Sequence, residues 1–303
     1  MSLPEESTQS TLQQPMQPRY IRANGMEFAY LEAGAEKDGA PLVLCLHGFP
    51  DTAWSFTRLL GDVAAAGFRA VAPFMRGYAP SAIPDDRDYS GMALARDVIA
   101  LVEHLGAQDA LVVGHDWGAA AAYGAAALRP DRIRGIVTAS VPHVRRFLLR
   151  PTRAQLRASH YMFKFQLPGW PERRIREHDF AWLRDLARSW SPGWEPPDDY
   201  LAAVKAAFAE PARLKAALGY YRAMPRLLLD RESWNSLLKP IQVPARVIYG
   251  ENDHCILPEM YQDQEHLFAS RYELGCIPGA GHFLHIETPE AFASQVIGFL
   301  KSV

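Results

Sequence analysis

Short apolar runs punctuate the chain from residue 41 onward: PLVLCLHG at 41–48, RAVAPF at 69–74, ALVVGHD at 110–116 and IRGIVTAS at 133–140. Each is apolar at successive positions rather than alternate ones, the pattern of a strand buried on both faces, as in a parallel sheet. Between them, TAWSFTRLLGDVAAAG at 52–67 and GMALARDVIALVEHLG at 91–106 place apolar residues at helical spacing and end on glycine, a common helix terminator. Strand and helix in repeated succession predict an α/β fold with a mostly parallel, doubly wound sheet. After residue 142 the rhythm breaks into Pro-, Trp- and Arg-rich text with helical pieces such as DDYLAAVKAAFAEPARLKAALGYY at 198–221. Strand-like runs return at ARVIYG, 245–250, and RYELGCIPGAGH, 271–282. Residues 143–235 are therefore expected to form an inserted helical cap on a core built from 19–142 and 236–303, with a loose polar tail over 1–18.

Composition changes this picture little. A chain of 303 residues that is 49% hydrophobic has enough apolar side chains for a large core. A formal net charge of −2 gives no field to attract a polyanion, and the arginines of HVRRFLLRPTRAQLR, 143–157, are expected on a solvated helix face rather than in a nucleic-acid patch. Cys45, Cys255 and Cys276 are too few and too scattered for a disulfide framework or a zinc site, which suits a reducing compartment. No apolar run approaches the roughly 20 residues of a membrane helix, and the first residues lack the basic start and apolar stretch of a leader. These features predict a soluble cytoplasmic protein with neither nucleic acid nor membrane as partner.

The stretch ALVVGHDWGAAAAYGAAALRP, 110–130, carries the chemistry. Gly114 and Gly118 frame a tight strand-turn-helix bend, an elbow whose apex is ordinarily a nucleophilic serine, and here the apex is Asp116. A triad on such a sheet runs nucleophile, acid, histidine along the chain. TASVPHV, 138–144, holds no acid, whereas ENDHC after ARVIYG offers Glu251 and Asp253, and the last strand is followed by His282 and His285. Ends of parallel strands are where such a sheet presents its site. His47 and His115 are expected as structural, hydrogen-bonded histidines and Cys255 as a packing residue. No spacing in the sequence clasps a metal, and no cofactor is expected.

With HGFP at 47–50, RGYAPS at 76–81, GHDWG at 114–118, YMFKFQLPG at 161–169, YYRAM at 220–224, GEND at 250–253 and GHF at 281–283, the chain resembles the soluble epoxide hydrolases of the α/β-hydrolase superfamily, near relatives of the haloalkane dehalogenases. The resemblance runs from about residue 19 to the end. It implies Asp116 as nucleophile, Asp253 as acid partner and His282 as base, with Glu251 and His285 as runners-up. It implies cap tyrosines at Tyr161 and Tyr221, with Tyr220 the alternative to the latter. The elbow nominates the Trp117 backbone N–H as one oxyanion donor, the resemblance adds that of Phe49, and both side chains are expected as pocket walls. RGYAPS departs from the family, which commonly has glycine at Ala79.

A carboxylate is already an anion at neutral pH, so Asp116 needs no base to attack a saturated carbon, and the histidine is free to activate water against the resulting alkyl ester. An epoxide leaves as an alkoxide and needs a proton, which a neutral tyrosine supplies. A halide needs only N–H donors, but Phe49 stands where dehalogenases usually carry a polar Asn or Glu, and Trp117 lacks the charge of the arginine that fluoroacetate dehalogenases place there. The reading is a cofactor-free addition of water to an apolar epoxide, giving a vicinal diol. Its alternatives are hydrolytic dehalogenation of a haloalkane or haloacid, and a non-catalytic ligand-binding protein on the same fold.

Overall fold

A computed structural model describes residues 16–35 and 39–303. The expected loose tail lies outside the described residues up to residue 15, and the first strand begins at Arg19.

The strands are β1 (Arg19–Ala23), β2 (Met26–Ala33), β3 (Leu42–Leu46), β4 (Arg69–Pro73), β5 (Ala110–His115), β6 (Ile133–Ala139), β7 (Ala245–Gly250) and β8 (Tyr272–Ile277). They form one sheet in the order β1-β2-β4-β3-β5-β6-β7-β8. From β4 onward every pairing is parallel, while β2 runs antiparallel to both β1 and β4. All six apolar runs singled out in the sequence are strands of the parallel part. The β1–β2 hairpin is the element that this pattern does not flag. Its signal is the Asn24-Gly25 turn, where φ is +45° and +76°, a conformation Asn and Gly tolerate and a tight hairpin requires.

Among the described residues the α-helices are α1 (Thr57–Ala65), α2 (Gly91–His104), α3 (Trp117–Leu128), α4 (Val144–Leu149), α5 (Arg153–Ala158), α6 (His160–Phe165), α7 (Trp170–Trp190), α8 (Asp198–Ala207), α9 (Pro211–Leu229), α10 (Arg231–Leu237), α11 (Leu284–Glu287) and α12 (Pro289–Leu300). A 3₁₀ turn over Ala53–Phe56 precedes α1, so the helical run 52–67 of the sequence divides in two. Every residue of β3 is buried. Leu42, Leu44 and Leu46 pack with α2 and α3, whereas Val43 and Cys45 pack with α1 and α12. This two-sided burial is why the strand reads as an unbroken apolar run. Helices α4 to α10 all fall between β6 and β7. Among them, α7 is broken at Glu177–Phe180, where three consecutive residues have positive φ.

The loop after β4 is tied down by charge. Arg76 is buried and forms a two-pronged pair with Asp97 of α2 at 2.5 and 2.6 Å, and Asn24 of the hairpin donates to the same carboxylate at 2.7 Å. Removing one member of such a pair strands the other charge in the interior, so the loop is held firmly. Ala79 does not have a positive φ, while Gly77 takes the left-handed turn at φ +81°, so a side chain at 79 is accommodated.

At the elbow, β5 ends in His115, Asp116 adopts φ 52° and ψ −117°, and α3 begins at Trp117. The bend presses α3 so close to β3 that a Cβ on Gly118 would lie 2.0 Å from the carbonyl oxygen of Leu46. A Cβ on Gly114 would lie 2.3 Å from the carbonyl oxygen of Gly118. Neither obstacle is a flexible side chain. Gly118→Ala is therefore expected to cost ~3 kcal/mol or more, the upper end of overpacking. Gly61→Ala in α1, where nothing lies within 4 Å, is expected to be neutral or to stabilise. Urea denaturation of the two variants against the parent checks this, and equal midpoints for Gly118→Ala and the parent contradict it.

Candidate active site

Asp116 caps the elbow with its carboxylate pointing back over β3. The Phe49 N–H donates to its Oδ1 at 2.8 Å. Gly48 has to be glycine for this, because a Cβ there would sit 2.4 Å from that of Asp116. The Asp116 carbonyl accepts the N–H groups of Ala119 and Ala120 at 2.9 and 3.2 Å, so the strained apex is also the start of the α3 hydrogen-bond ladder.

The other two members of the sequence-predicted triad converge on the same point. His282 Nδ1 is 2.9 Å from Asp253 Oδ2, and His282 Nε2 is 3.7 Å from Asp116 Oδ2. Asp253 follows β7, and its second oxygen accepts the N–H groups of Cys255 and Ile256 at 2.8 and 2.9 Å. With both oxygens occupied, the carboxylate cannot swing away from the imidazole. His282 is fully buried, and its backbone is pinned on both sides. Its N–H donates to Ser191 Oγ at 2.8 Å, and its carbonyl accepts from Ser140 Oγ at 2.7 Å and from His115 Nε2 at 2.9 Å. Burial alone would lower the His282 pKa, but the Asp253 charge foremost, with the Asp253 hydrogen bond and the nearby Asp116 carboxylate, outweighs it and holds the pKa well above the ordinary 6.5.

The tyrosines sort themselves by their partners. Tyr220 donates to the Arg76 carbonyl at 2.9 Å and is committed there. Tyr221 is buried with its hydroxyl unpartnered, and its ring meets Trp117 edge-on at 5.0 Å and Phe49 at 5.4 Å. Tyr161 stands 5.9 Å from Tyr221, ring to ring, and its hydroxyl lies 3.4 Å from Cys255 Sγ. Burial first, and the negative charge of Asp116 among lesser causes, push both the Tyr161 and Tyr221 hydroxyls well above the usual 10. Both are therefore neutral hydroxyls able to donate a proton.

A cavity of about 350 Å³ opens above Asp116, lined by Trp117, Tyr221, Met162, Met224, Phe147 and Leu148 among others. Trp117 is thus a wall, as expected. Phe49 is not: its ring is fully buried against Phe165, Phe208 and Tyr221 and does not reach the cavity. The expectation of a Phe49 pocket wall is corrected, because the ring is spent supporting the tyrosines while only its N–H faces the carboxylate.

The runners-up lie elsewhere. Glu251 is exposed and accepts the Gly279 N–H at 2.9 Å. His285 donates from Nε2 to Asp51 Oδ2 at 3.1 Å. His47 and His115 are structural, as expected: His47 bonds the Gly48 carbonyl and accepts the Met75 N–H, both at 3.0 Å. Sequence spacing showed no metal cluster, yet among the described residues Asp51, His115 and His285 bring three buried ligand-type atoms within 4.8 Å of one another. Burial pushes Asp51 up to about 6 and His285 down to about 3. Two functional neighbours escaped the sequence reading. Cys255 touches the Tyr161 hydroxyl instead of merely packing, and Ser191 holds the backbone of His282; the position of Cys255 two residues after Asp253 was the only available signal.

The family description "alpha/beta hydrolase fold" matches residues 41–289. The chain is 30% identical over 289 residues to the AB hydrolase superfamily protein YfhM of Bacillus subtilis, covering 94% of this chain and 98% of that protein. It is 29% identical to Epoxide hydrolase A of Mycobacterium tuberculosis, covering 94% and 97%. The crystal structure of Epoxide Hydrolase A from Mycobacterium thermoresistibile superposes with a TM-score of 0.81 at 28% identity, covering 94% of this chain and 98% of that one. With a glycine-framed elbow on a mostly parallel sheet and a family match over most of its length, the chain belongs to the α/β-hydrolase-fold family.

Proposed function

We propose that the protein is an epoxide hydrolase that opens an apolar epoxide to a vicinal diol through an alkyl ester on Asp116. The observation that carries this reading is a carboxylate, Asp116, with an imidazole 3.7 Å behind it and the neutral hydroxyl of Tyr221 beside it in the lining of an apolar cavity; Tyr161 does not line that cavity but packs against the Tyr221 ring at 5.9 Å. It agrees with the similarity of the chain to several relatives named as epoxide hydrolases. The inserted helices carrying Tyr161 and Tyr221 act as its cap.

In the first step an Asp116 oxygen attacks an epoxide carbon, the carbon–oxygen bond of the ring breaks, and Tyr161 and Tyr221 hydrogen-bond the departing alkoxide, one of them giving it a proton. In the second, His282 Nε2 takes a proton from water, and that water attacks the ester carbonyl carbon of Asp116. The charge then falls on the Asp116 oxygen held by the Phe49 N–H, with the Trp117 N–H as second donor. Asp253 keeps His282 in the tautomer with Nδ1 protonated and balances its charge. Collapse breaks the ester bond, the diol oxygen leaves with the proton of the new carboxyl group, and the carboxylate is restored with one of its oxygens from water, while the proton taken up by His282 returns to the tyrosinate left by the first step.

His282→Gln removes only the second step. Intact-protein mass spectrometry is expected to show an adduct equal in mass to the added epoxide, located on the peptide with Asp116. One turnover of the parent in heavy-oxygen water is expected to label that peptide. Label in the first diol with a light peptide rejects the ester, and bromide release from a bromoalkane without any diol from epoxides transfers the assignment to dehalogenation.

Tyr161→Phe and Tyr221→Phe remove the proton donors. Each is expected to slow ester formation about tenfold to a hundredfold, and the pair by ~10²–10⁴, the range of general acid catalysis, as read by stopped-flow fluorescence. Unchanged rates in the double variant reject the tyrosine role.

Esterification neutralises Asp116 and removes one of the causes that hold the His282 pKa up. The pKa must therefore fall in the intermediate, turning an imidazolium that is stable in the free enzyme into a competent base. Hydrolysis of the ester is expected to speed up as pH rises, with a midpoint below the His282 pKa measured by NMR in the free enzyme. A midpoint at or above that value contradicts the mechanism.

A further inference from the structure

We propose that the outward face of α4, α5, α6 and the start of α7 docks on an anionic phospholipid surface. Residues 144–171 contain no Asp or Glu and six cations, Arg145, Arg146, Arg150, Arg153, Arg157 and Lys164, in a chain whose net charge is −2. Arg146 is turned inward onto the carbonyls of Arg150, Glu259 and Gln262. The other five are exposed, and among the described residues none of them makes an ion pair. The acids that border the segment are engaged elsewhere: Glu172 in the first turn of α7 pairs with Arg222, Glu177 pairs with Arg174, and Glu259 accepts the Thr152 hydroxyl, while Asp185 lies in the adjoining groove.

The same face is apolar. Of nine large hydrophobic side chains exposed among the described residues, five lie within this segment: Leu149, Leu156, Phe163, Leu167 and Trp170. Phe163 is 70% exposed. Arg157, Lys164, Trp170 and Arg174 share one groove, and Leu156 and Phe163 are exposed as the chain neighbours of Arg157 and Lys164. Leu, Phe and Trp interleaved with Arg and Lys form the composition that lies in a bilayer interface, apolar tips among the acyl chains and cations at the phosphates.

Charge decides against the other occupants. In a two-fold contact the patch would meet itself, setting five uncompensated cations against five more. A nucleic acid would satisfy the cations but leave Phe163, Leu167 and Leu156 without apolar partners. No described helix is long and apolar enough to cross a membrane, so the contact is peripheral. Phe147 and Leu148 of α4 and Met162 of α6 line the cavity, while their neighbours Leu149 and Phe163 face outward, so the docking face is the outer side of the cavity wall. This inference does not rest on epoxide hydrolysis.

Co-sedimentation with vesicles of phosphatidylcholine, alone or mixed with phosphatidylglycerol, tests it. The full chain is expected to pellet with the anionic vesicles and to be released by salt. Arg153→Gln, Arg157→Gln and Lys164→Gln are each expected to lower the partition coefficient about fivefold, the equivalent of ~1 kcal/mol per surface cation. Phe163→Ser is expected to lower it about tenfold, the loss of one buried aromatic side chain. All four positions are exposed, so unchanged thermal melts serve as the folding control. The proposal is overturned if the parent stays in the supernatant at low salt, or if it pellets with neutral vesicles as readily as with anionic ones. It is equally overturned if duplex DNA, but no vesicle, binds in a way the charge variants abolish, or if sedimentation velocity shows a dimer that Phe163→Ser dissolves.

Discussion

The site exists because two backbones approach more closely than any side chain allows. Gly118 places α3 against the Leu46 carbonyl, and Gly48 lets the next loop pass over Asp116. Only with both contacts in place does the Phe49 N–H reach the carboxylate at 2.8 Å. The positive φ of Asp116 is the local cost, and the dense packing of α3 offsets it: Ala119, Ala121, Ala122, Ala125 and Ala126 are all fully buried. Alanine dominates the helix because larger side chains would hold it off the sheet and open the elbow.

Around that contact the protein gathers charge where water is scarce, a costly arrangement unless every group is held by others. Asp253 has both oxygens engaged, and His282 is fixed at its ring, its N–H and its carbonyl. Ser191, at the end of α7, joins the insertion to this network, since the same hydroxyl that receives the His282 N–H donates to Glu287 at 2.6 Å. The helical insertion and the catalytic loop therefore cannot shift independently without breaking a buried hydrogen bond.

Much of this was legible in the residues. Two-sided burial prints itself as unbroken apolar text, and β3 to β7 were readable for that reason, whereas β8 at the sheet edge is only partly buried. The elbow was readable because glycine is demanded on both sides of the apex. What stayed hidden depends on contacts between segments distant in the chain. Phe49 looked like a pocket wall until Phe165 and Phe208 enclosed it. Asp51 and His285 are 234 positions apart and nothing in either segment announces the pair. The break at Glu177–Phe180 falls within a segment that carries no glycine and whose only proline, Pro171, sits in its first turn, so no helix breaker marked it. In the β1–β2 hairpin, β1 is short and largely exposed at the edge of the sheet, and only the Asn-Gly turn marked the pair.

Tyr220 and Tyr221 are adjacent, yet one anchors and the other faces the cavity. A helix turns about 100° between neighbours, so the grip of Tyr220 on the Arg76 carbonyl sets the azimuth of all of α9 and aims Tyr221 with it. The acceptor is a main-chain oxygen, which no point substitution deletes. Rotational register in this helix is thus keyed to the core through an atom outside the reach of side-chain variation, and drift in the sequence of the surrounding inserted helices can alter the size of the chamber while the angle of that hydroxyl is kept.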